Sequence, residues 1–462
     1  MEDVGLMTRQ TDPQPNTQEQ FNRLIEFRQA IYDRIFTARR DAQFQLLDAL
    51  LSKGKVPSFP WLALAGCFER QWPSLYDAVE EGDQDVTGVG QFLMAQVPTV
   101  SIQFWSLDGT AWPRPQAGTL PGRLYVYAPG RGFKGKPVVP GYSYSLLDWV
   151  PEAGESWSLS VEMVRVSPDS SELLVGAAQV KRLCEIRGGI AGLDIVVGDC
   201  KYSQPEFLRR VQQLPCGKVA RLAKHRVLYG RPDPKPTGTR GRPRKHGNRF
   251  AFKEPESWGN PVEELELEDP KWGQVKLRRW PNLHGRSAAD VEFDVIQVQV
   301  HLEREQPPPP LWLLWLPPEQ IPSTVTVDVE TIWRAYAHRW PIEPGNRFRK
   351  QVLNWTRPQF QTPEAGDRWT VIVSLAFWQL YLARPLVADC PLPWQPKQVN
   401  LTPARVQQGL VDILGQIGSP AQPPQTRGKS PGWPKGKRRQ RKERYKVVKK
   451  TTKSSKSTKK AA

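Results

Sequence analysis

The N-terminal part of the chain has a helical pattern of hydrophobic residues. Between Gln18 and Lys53, apolar side chains recur every three or four residues, which is the spacing of an amphipathic helix. This pattern predicts two helices in the stretch and a further short helix near Trp61–Phe68. Residues 1–17, which precede it, are polar and are predicted to be disordered.

The pattern changes to alternation of apolar and polar residues at about residue 100. Val100, Ile102 and Phe104 alternate with polar residues, which is typical of a half-buried strand. The run ends in Leu107-Asp108-Gly109-Thr110, so Asp108 is expected where a strand leaves the sheet. Residues 125–127 and 157–166 are further strand candidates.

Helices and strands alternate in the next part of the chain. Residues 171–186 have a helical period, with a serine at 170 or 171 as the N-cap. The apolar strand 190–197 is followed at once by Asp199, and then come a helix at 205–214 and a strand at 217–222. This order of strand, helix and strand is typical of an α/β core, in which active sites lie at the ends of the strands.

The second half of the chain predicts further strands and then helices. Strand patterns occupy residues 274–279 and 291–302, and a proline run precedes the strand Leu311–Leu316. Helices are predicted at 327–336, at 367–386 and in a short piece before residue 417. Ser374, Gln379 and Arg384 interrupt the apolar run from 369 to 386, so a buried helix is favoured over a membrane span.

Positive charge is concentrated at the C-terminal end of this 462-residue chain, which is long enough for about two to four domains. The net charge is +18, and residues 427–460 contribute 16 Lys and Arg against one acid, or +15, which leaves +3 for the rest. From Ser419 onward the composition is of low complexity and predicts a disordered tail. Such asymmetry favours a polyanionic partner, most often nucleic acid.

Two other basic stretches have alternative interpretations. Arg240, Arg242 and Arg244 lie in a Gly- and Pro-containing stretch whose Arg-Gly-Arg-Pro resembles an AT-hook, which places arginines in a narrow minor groove. A plain basic linker is the alternative, and both favour DNA. Arg39-Arg40, between the first two helices, either contacts a DNA backbone or forms a solvated face.

Three remaining features narrow the class of protein. The stretch 130–136 resembles a phosphate-binding P-loop, but Pro137 stands where the magnesium-binding Ser or Thr belongs, so a basic loop is favoured. The five cysteines have no CxxC pairing, which argues against a zinc site or a disulfide framework and suits a reducing cytosol. The N-terminus has no signal-peptide pattern.

The stretch Tyr336–Lys350 combines one carboxylate with basic and aromatic residues. On a helix, Glu343, Arg347 and Lys350 share one face, where the acid can hold a divalent cation and the bases can bind phosphate. Prolines on both sides of Glu343 predict that its helix begins close to it. Whether Tyr336 and Arg339 belong to that helix or to a preceding loop is left open.

The spacing of Tyr336, Arg339, Glu343 and Lys350 resembles the YREK signature of bacterial insertion-sequence DDE transposases. An amphipathic helix with solvated charges is the alternative. Asp108, Asp199 and Glu343 come in the order of the DDE triad of that family, although Asp148 competes with Asp108.

The resemblance implies an α/β fold: a ribonuclease-H-like mixed sheet with flanking helices, a β-rich insertion, an N-terminal helical region and a disordered basic tail. The corresponding boundaries are 1–95 for the helical region and possible DNA binding, 96–229 and 306–418 for the two parts of the catalytic core, 230–305 for the insertion and 419–462 for the tail.

The resemblance also implies a reaction, which is cleavage at the ends of a mobile element followed by strand transfer into target DNA. Asp108, Asp199 and Glu343 would hold two Mg2+ ions, with Mn2+ able to substitute. Tyr336, Arg339, Arg347 and Lys350 would bind phosphates. Trp312 would stack on a flipped base or, alternatively, belong to the core.

The expected setting follows from the same family. It is the bacterial cytoplasm at the nucleoid, with a dimer in the synaptic complex, no membrane and no evident protein partner. Two other functions remain open: a catalytically inactive, transposase-derived DNA-binding protein, and a nuclease of the same fold that does not join DNA.

Overall fold

A computed structural model describes residues 17–128, 137–152, 155–188, 192–234, 242–301, 308–425, 432, 434–436 and 441–449. The chain forms two compact units. The first consists of Met1–Asp85, Phe348–Pro358 and Ile372–Lys429, and the second of Val86–Arg347, Gln359–Val371 and Ser430–Ala462. Arg240, the P-loop-like stretch 130–136 and residues 1–16 of the predicted N-terminal disordered segment lie outside the described residues.

The described residues form ten α-helices. In chain order they are α1 (Thr17–Ala30), α2 (Arg40–Ser52), α3 (Pro73–Glu80), α4 (Val86–Met94), α5 (Glu172–Arg187), α6 (Pro205–Val211), α7 (Val329–Ala337), α8 (Ile342–Gln351), α9 (Pro363–Ala383) and α10 (Pro403–Ile417).

The same residues form fourteen strands. They are β1 (Phe36–Ala38), β2 (Asp83–Gln84), β3 (Ile102–Pro113), β4 (Leu124–Tyr127), β5 (Val138–Trp149), β6 (Leu159–Arg165), β7 (Leu193–Gly198), β8 (Gly217–Leu222), β9 (Val227–Tyr229), β10 (Arg249–Ala251), β11 (Glu263–Asp269), β12 (Gly273–Gly285), β13 (Ala288–His301) and β14 (Leu311–Leu316).

The first unit contains the predicted N-terminal helices. Helices α1 and α2 pack through fully buried apolar side chains and through an ion pair of 2.7 Å between Arg28 and Asp48, both almost completely buried. The predicted short helix is a 3-10 helix at Phe59–Leu64. Of the basic pair between the helices, Arg39 pairs with Glu81 and Arg40 lies over the ring of Tyr32. Both cations therefore already have partners in this unit.

The second unit is built on a sheet of twelve strands with helices α5, α6 and α7 packed against it. Its strand order is β10-β9-β12-β13-β14-β8-β7-β3-β5-β4, with β11 on β12 and β6 on β5. The pairs β3/β7 and β7/β8 are parallel and the other pairs are antiparallel. The predicted α/β class, with a mixed sheet and flanking helices, is confirmed, and this arrangement is consistent with a ribonuclease-H-like core.

The prediction that a strand ends at Asp108 is wrong, because β3 continues to Pro113. Its extension pairs with β5, from Asp108 opposite Leu146 to Pro113 opposite Gly141. The sequence pattern did not predict β5, since most of its residues are buried on both faces and do not alternate.

The predicted insertion continues the core sheet. β13 pairs with β14 of the core, so that β10 to β13 of the insertion belong to the same twelve-stranded sheet. Arg242 and Arg244 are exposed and lie outside regular secondary structure, between β9 and β10. Their suggested role in the minor groove remains a prediction.

The apolar run near residue 369 belongs to α9, where Trp369, Ile372 and Val373 are completely buried. None of the helices in the described ranges is long and apolar enough to cross a membrane.

Candidate active site

The register between two parallel strands brings Asp108 and Asp199 to the same level of the sheet. β3 pairs with β7 from Ile102 opposite Leu193 to Leu107 opposite Gly198. The residues that follow this register on the two strands are Asp108 and Asp199, at the point where β7 ends and β3 continues. The two acids that the sequence analysis selected therefore lie beside each other at the carboxyl end of the parallel strands.

A tight turn holds Asp199. It caps a 3-10 helix at Cys200–Ser203, and its carboxylate accepts a hydrogen bond of 2.8 Å from the backbone N–H of Lys201. The ammonium group of Lys201 in turn donates to Glu172 Oε1 at 2.6 Å. Lys201 thus fixes this turn through its backbone N–H, which binds Asp199, and through its side chain, which binds Glu172.

Glu172 is a third acidic residue at this site, and the sequence analysis did not select it. It is the first residue of α5, whose N-cap Ser171 accepts a hydrogen bond from the N–H of Leu174 at 3.2 Å, as predicted. A Cβ atom at Gly109 would overlap the carboxylate of Glu172, so only glycine leaves room for this carboxylate. Gly109 follows Asp108 directly, which explains how Glu172 comes so close to the aspartate.

Asp108 carries a negative charge that its surroundings compensate only in part. About 20% of its side chain is exposed, and Arg339 Nη2 lies 3.4 Å from Oδ1. Burial raises the pKa of Asp108, the Arg339 guanidinium lowers it, and the charges of Asp199 and Glu172 raise it again. The net direction is upward, so the ionised form is destabilised.

Arg339 reaches Asp108 from the turn between α7 and α8. The preceding residue, His338, stacks on Phe104 of β3 with ring centroids 4.2 Å apart, which holds this turn against the sheet. Tyr336, at the end of α7, has its pKa raised by burial, and the charges of Arg339 and Asp199 also act on it. Tyr336 and Arg339 are thus brought to the two aspartates.

Glu343 lies four residues after Arg339, in the first turn of α8. Its helix begins at Ile342, so the prediction of a helix start beside Glu343 is confirmed, and Tyr336 and Arg339 precede that helix. Glu343 is exposed, and within the described residues no three His, Cys, Asp or Glu side chains lie close enough to hold a metal ion. The structure therefore does not bring Glu343 into one group with Asp108 and Asp199.

The two remaining residues of α8 that were predicted to bind phosphate differ in exposure. Arg347 is exposed and Lys350 is half-buried.

The competing acid, Asp148, is 1% exposed and accepts a hydrogen bond of 2.5 Å from Ser160, which makes it part of the hydrogen-bonded core.

Trp312 is buried in the sheet. It is 2% exposed, and Phe252 stacks on its ring with centroids 4.1 Å apart and an interplanar angle of 10°. Trp258 and Trp280 also pack against it. Stacking on a flipped base would require Phe252 to leave its place.

The donor atoms of Asp108, within β3, and of Asp199, just after β7, suit a hard divalent cation. Mg2+ and Mn2+ prefer carboxylate oxygens, and Asp108 and Asp199 provide them side by side. The raised pKa of Asp108 means that a bound cation would relieve an unfavourable charge. These residues therefore fit a divalent metal ion.

A comparison with known families decides the class of this site. The family described as DDE superfamily endonuclease matches residues 31–281, which is 251 of the 462 residues and includes both aspartates. The chain belongs to the DDE superfamily endonucleases. This membership indicates DNA cleavage of the transposase or nuclease type, and enzymes of this superfamily generally use divalent metals.

The match to the DDE superfamily endonucleases ends before the YREK-like stretch, so the YREK subtype remains a prediction. No curated protein matches the chain significantly.

Proposed function

We propose that this DDE endonuclease is a transposase of the YREK type, which cuts DNA at the ends of a mobile element and joins the freed ends to target DNA. The observation that carries the proposal is the register that aligns Asp108 with Asp199 and the contact of Arg339 with Asp108. Arg339 is the second residue of the YREK-like signature, and its contact with Asp108 supports the proposal that the signature and the aspartates act together.

Asp108, Asp199 and Glu343 would hold two Mg2+ ions, with Mn2+ able to substitute. Bound ions of this kind activate water or a 3′-hydroxyl and stabilise the leaving oxygen during in-line displacement. The turn at Cys200–Ser203 keeps the Asp199 carboxylate directed by its hydrogen bond from Lys201. Asp108 contributes a charge that burial makes costly and that a cation offsets.

The remaining signature residues would bind the DNA backbone. Arginine forms paired hydrogen bonds with phosphate, so the guanidinium of Arg339 would exchange Asp108 for a phosphate when DNA enters. Glu343, four residues after Arg339, would have to approach the aspartates to join them at the metal ions. Arg347 and Lys350, on the same helix, would hold neighbouring phosphates.

The substrates would be the element ends and the target DNA. Two ends must be held together for joining, which favours a dimer in the synaptic complex. Such an enzyme would act at the bacterial nucleoid.

The test is divalent-metal-dependent cleavage and joining of DNA that carries the flanking sequence of the gene. We expect Glu343→Gln to abolish both steps and to retain DNA binding, while Glu330→Gln, a matched change on α7, retains activity. Glu330 pairs with Arg334 and is not one of the proposed metal ligands. The Glu330→Gln variant therefore controls for the loss of a negative charge.

Other results would redirect the assignment. Hydrolysis without joined products would indicate a nuclease of the same fold, and binding without cleavage by any variant would indicate a DNA-binding relic. Loss of cleavage in Glu172→Gln with full activity in Glu343→Gln would place the third carboxylate on α5 and overturn the YREK assignment.

A further inference from the structure

Part of the basic tail lies along the outer edge of the sheet, where the sequence predicted disorder. The N–H of Val448 donates to the carbonyl of Arg123 at 2.8 Å, and the N–H of Tyr445 donates to the carbonyl of Gly118 at 2.9 Å. Arg123 Nη2 also donates to the carbonyl of Tyr445 at 3.2 Å. Residues 441–449, which we call the tail segment, thus lie against the stretch 118–124 that leads into β4 and reach the first residue of that strand.

A small apolar cluster explains this docking. Val448 forms a parallel bridge with Leu124 and packs against the buried residues Leu124, Val126 and Val139. The Val-Val pair at 447 and 448 is the apolar interruption in the lysine-rich tail. It fixes the register of the tail segment against β4.

The other face of β4 carries two exposed tyrosines. Leu124 and Val126 are buried, whereas Tyr125 is 50% and Tyr127 is 67% exposed. Because side chains alternate along a strand, the tyrosines are two residues apart on one face, about 6.6 Å from each other along the strand. Two exposed aromatic rings on one face offer a surface on which flat, apolar groups can stack.

Positive charge borders these rings. The tail segment contains five Lys and Arg against one acid, Glu443, for a net charge of +4. Its anchoring uses backbone atoms, so that the side chains of Arg444, Lys446 and Lys449 stay exposed. Ordered cations beside aromatic rings fit an anionic ligand with flat, apolar groups.

A cleft of about 620 Å3 connects this surface with residues that neighbour the aspartates. Its lining includes the β4 tyrosines, Lys449 of the tail segment, Glu172, Gly109 and Lys201. Gly109 follows Asp108, and Lys201 holds Asp199 through its backbone. A chain bound along β4 would therefore lead to the catalytic edge of the sheet.

We propose that Tyr125 and Tyr127, together with the tail segment, bind single-stranded DNA beside the cleavage site. Successive bases would stack on the two rings, and the exposed cations would bind the phosphates between them. Duplex DNA does not fit, because its bases are stacked on each other and offer no free faces. The inference rests on the proposed function, in which the substrate is the DNA at the element end.

The first test is the affinity of the full-length protein for a labelled single-stranded oligothymidine and for a duplex, measured by fluorescence anisotropy without metal. We expect Tyr125→Ala and Tyr127→Ala each to weaken single-strand binding about 5- to 100-fold, since each base stacked on an aromatic ring contributes to affinity. Phenylalanine at either position should restore it. Trp394→Ala, which removes another exposed ring, should have no effect.

The second test separates stacking from charge. Lys446→Ala combined with Lys449→Ala should reduce the slope of log affinity against log salt by about 1.4, or about 0.7 for each lost phosphate contact on a single strand. The tyrosine variants should lower the affinity and leave the slope unchanged.

Two outcomes would overturn the proposal. One is unchanged single-strand affinity in the double variant Tyr125→Ala/Tyr127→Ala with an unaltered melting temperature. The other is a change of oligomeric state in that variant, measured by light scattering, with oligonucleotide binding retained, because it would make this face a protein interface.

Cleavage assays on the same preparations distinguish this proposal from the proposed function. Tyrosine-dependent binding by a wild-type protein that never cuts DNA would leave the binding site standing and refute the transposase. If the wild-type protein cleaves DNA and the tyrosine variants bind single strands as it does, the binding site is refuted and the proposed function stands.

Discussion

Carboxylates occur in two contrasting settings on the same sheet. On the insertion, Glu263, Glu264 and Glu266 of β11 face cations of β12 in direct register. Glu264 lies 2.6 Å from Lys276 and 2.9 Å from Arg278, and hydrogen bonds from these two cations lower its pKa. Within β3, burial raises the pKa of Asp108, and Arg339 offsets only part of that effect.

The two settings differ in whether the carboxylate charge is compensated within the protein. Compensated acids stabilise the fold, whereas an incompletely compensated acid can bind a ligand. Paired acids on an exposed surface have their charge neutralised within the protein and have little left for a ligand. Asp108 and Asp199 lie side by side, and Arg339 offsets only part of the cost of burying Asp108. A carboxylate with a raised pKa, such as Asp108, is typical of functional sites.

The largest expected effect comes from removing a catalytic carboxylate. Asp199→Asn should lower DNA cleavage by about 10²–10³-fold or more, because electrostatic stabilisation of the reacting phosphate is lost. Glu264→Gln, the matched change on the insertion, should leave the cleavage rate unchanged. Single-turnover cleavage of a labelled element end measures both. Equal losses in the two variants would erase the distinction between the two settings.

A smaller effect is expected from the residues that hold Asp199. Glu172→Gln removes the partner of Lys201 and should reduce cleavage and apparent metal affinity by about 10- to 100-fold, as for other residues that orient metal ligands. The half-saturating Mg2+ concentration should rise along with the loss in rate.

Exchanging the pair provides the control. The double variant Glu172→Lys/Lys201→Glu restores the ion pair and should recover part of the metal affinity. If Glu172→Gln lowered the rate at an unaltered metal requirement, Glu172 would act in some way other than through Asp199.

The smallest effect is on stability and differs in sign between the two settings. Asp108 has a folded-state pKa above its ordinary value, so its ionisation destabilises the native protein increasingly as the pH rises past the ordinary value, and the effect is complete above the raised pKa. Asp108→Asn should therefore raise the melting temperature in metal-free buffer at pH 7. This gain should vanish as the pH falls below about 3.9, where the acid is protonated in both states.

Glu264 should show the opposite behaviour. Its folded-state pKa is lowered, so its stabilisation is present above the unfolded pKa and is lost as the pH falls through the folded value. Glu264→Gln should lower the melting temperature slightly at pH 7 and less at acidic pH. Melting curves of both variants between pH 3 and 7 test the pair. A destabilising Asp108→Asn would mean that this charge is compensated after all.

Local patterns predicted the elements around the aspartates well. The helix α5 with its serine cap, the strand β7 that ends before Asp199, and the strand β8 follow from period and capping. These features depend on neighbours in sequence, which is why a single chain reveals them. Asp199 was selected for the same reason, whereas Asp108 was selected on a strand end that the structure does not have.

Features that depend on distant contacts could not be predicted. Nothing in the sequence near Glu172 indicates that its carboxylate lies against Gly109, since 63 residues separate them (172 − 109 = 63). The burial of Trp312 under Phe252 and the docking of Val448 on β4 are of the same kind. Each needs a partner that only the folded sheet brings near.

The pairing of β14 with β8 has a consequence for the synthesis of the protein. Leu222 lies opposite Trp312, 90 residues later in the chain (312 − 222 = 90), so the middle of the sheet cannot close until the ribosome has passed residue 316. Sheets with such distant partners fold slowly, and an unpaired inner strand is a template for aggregation. A chain terminated before that point carries both aspartates and leaves β8 open. Truncated copies are therefore expected to misfold and be degraded, rather than to persist and compete with the intact protein.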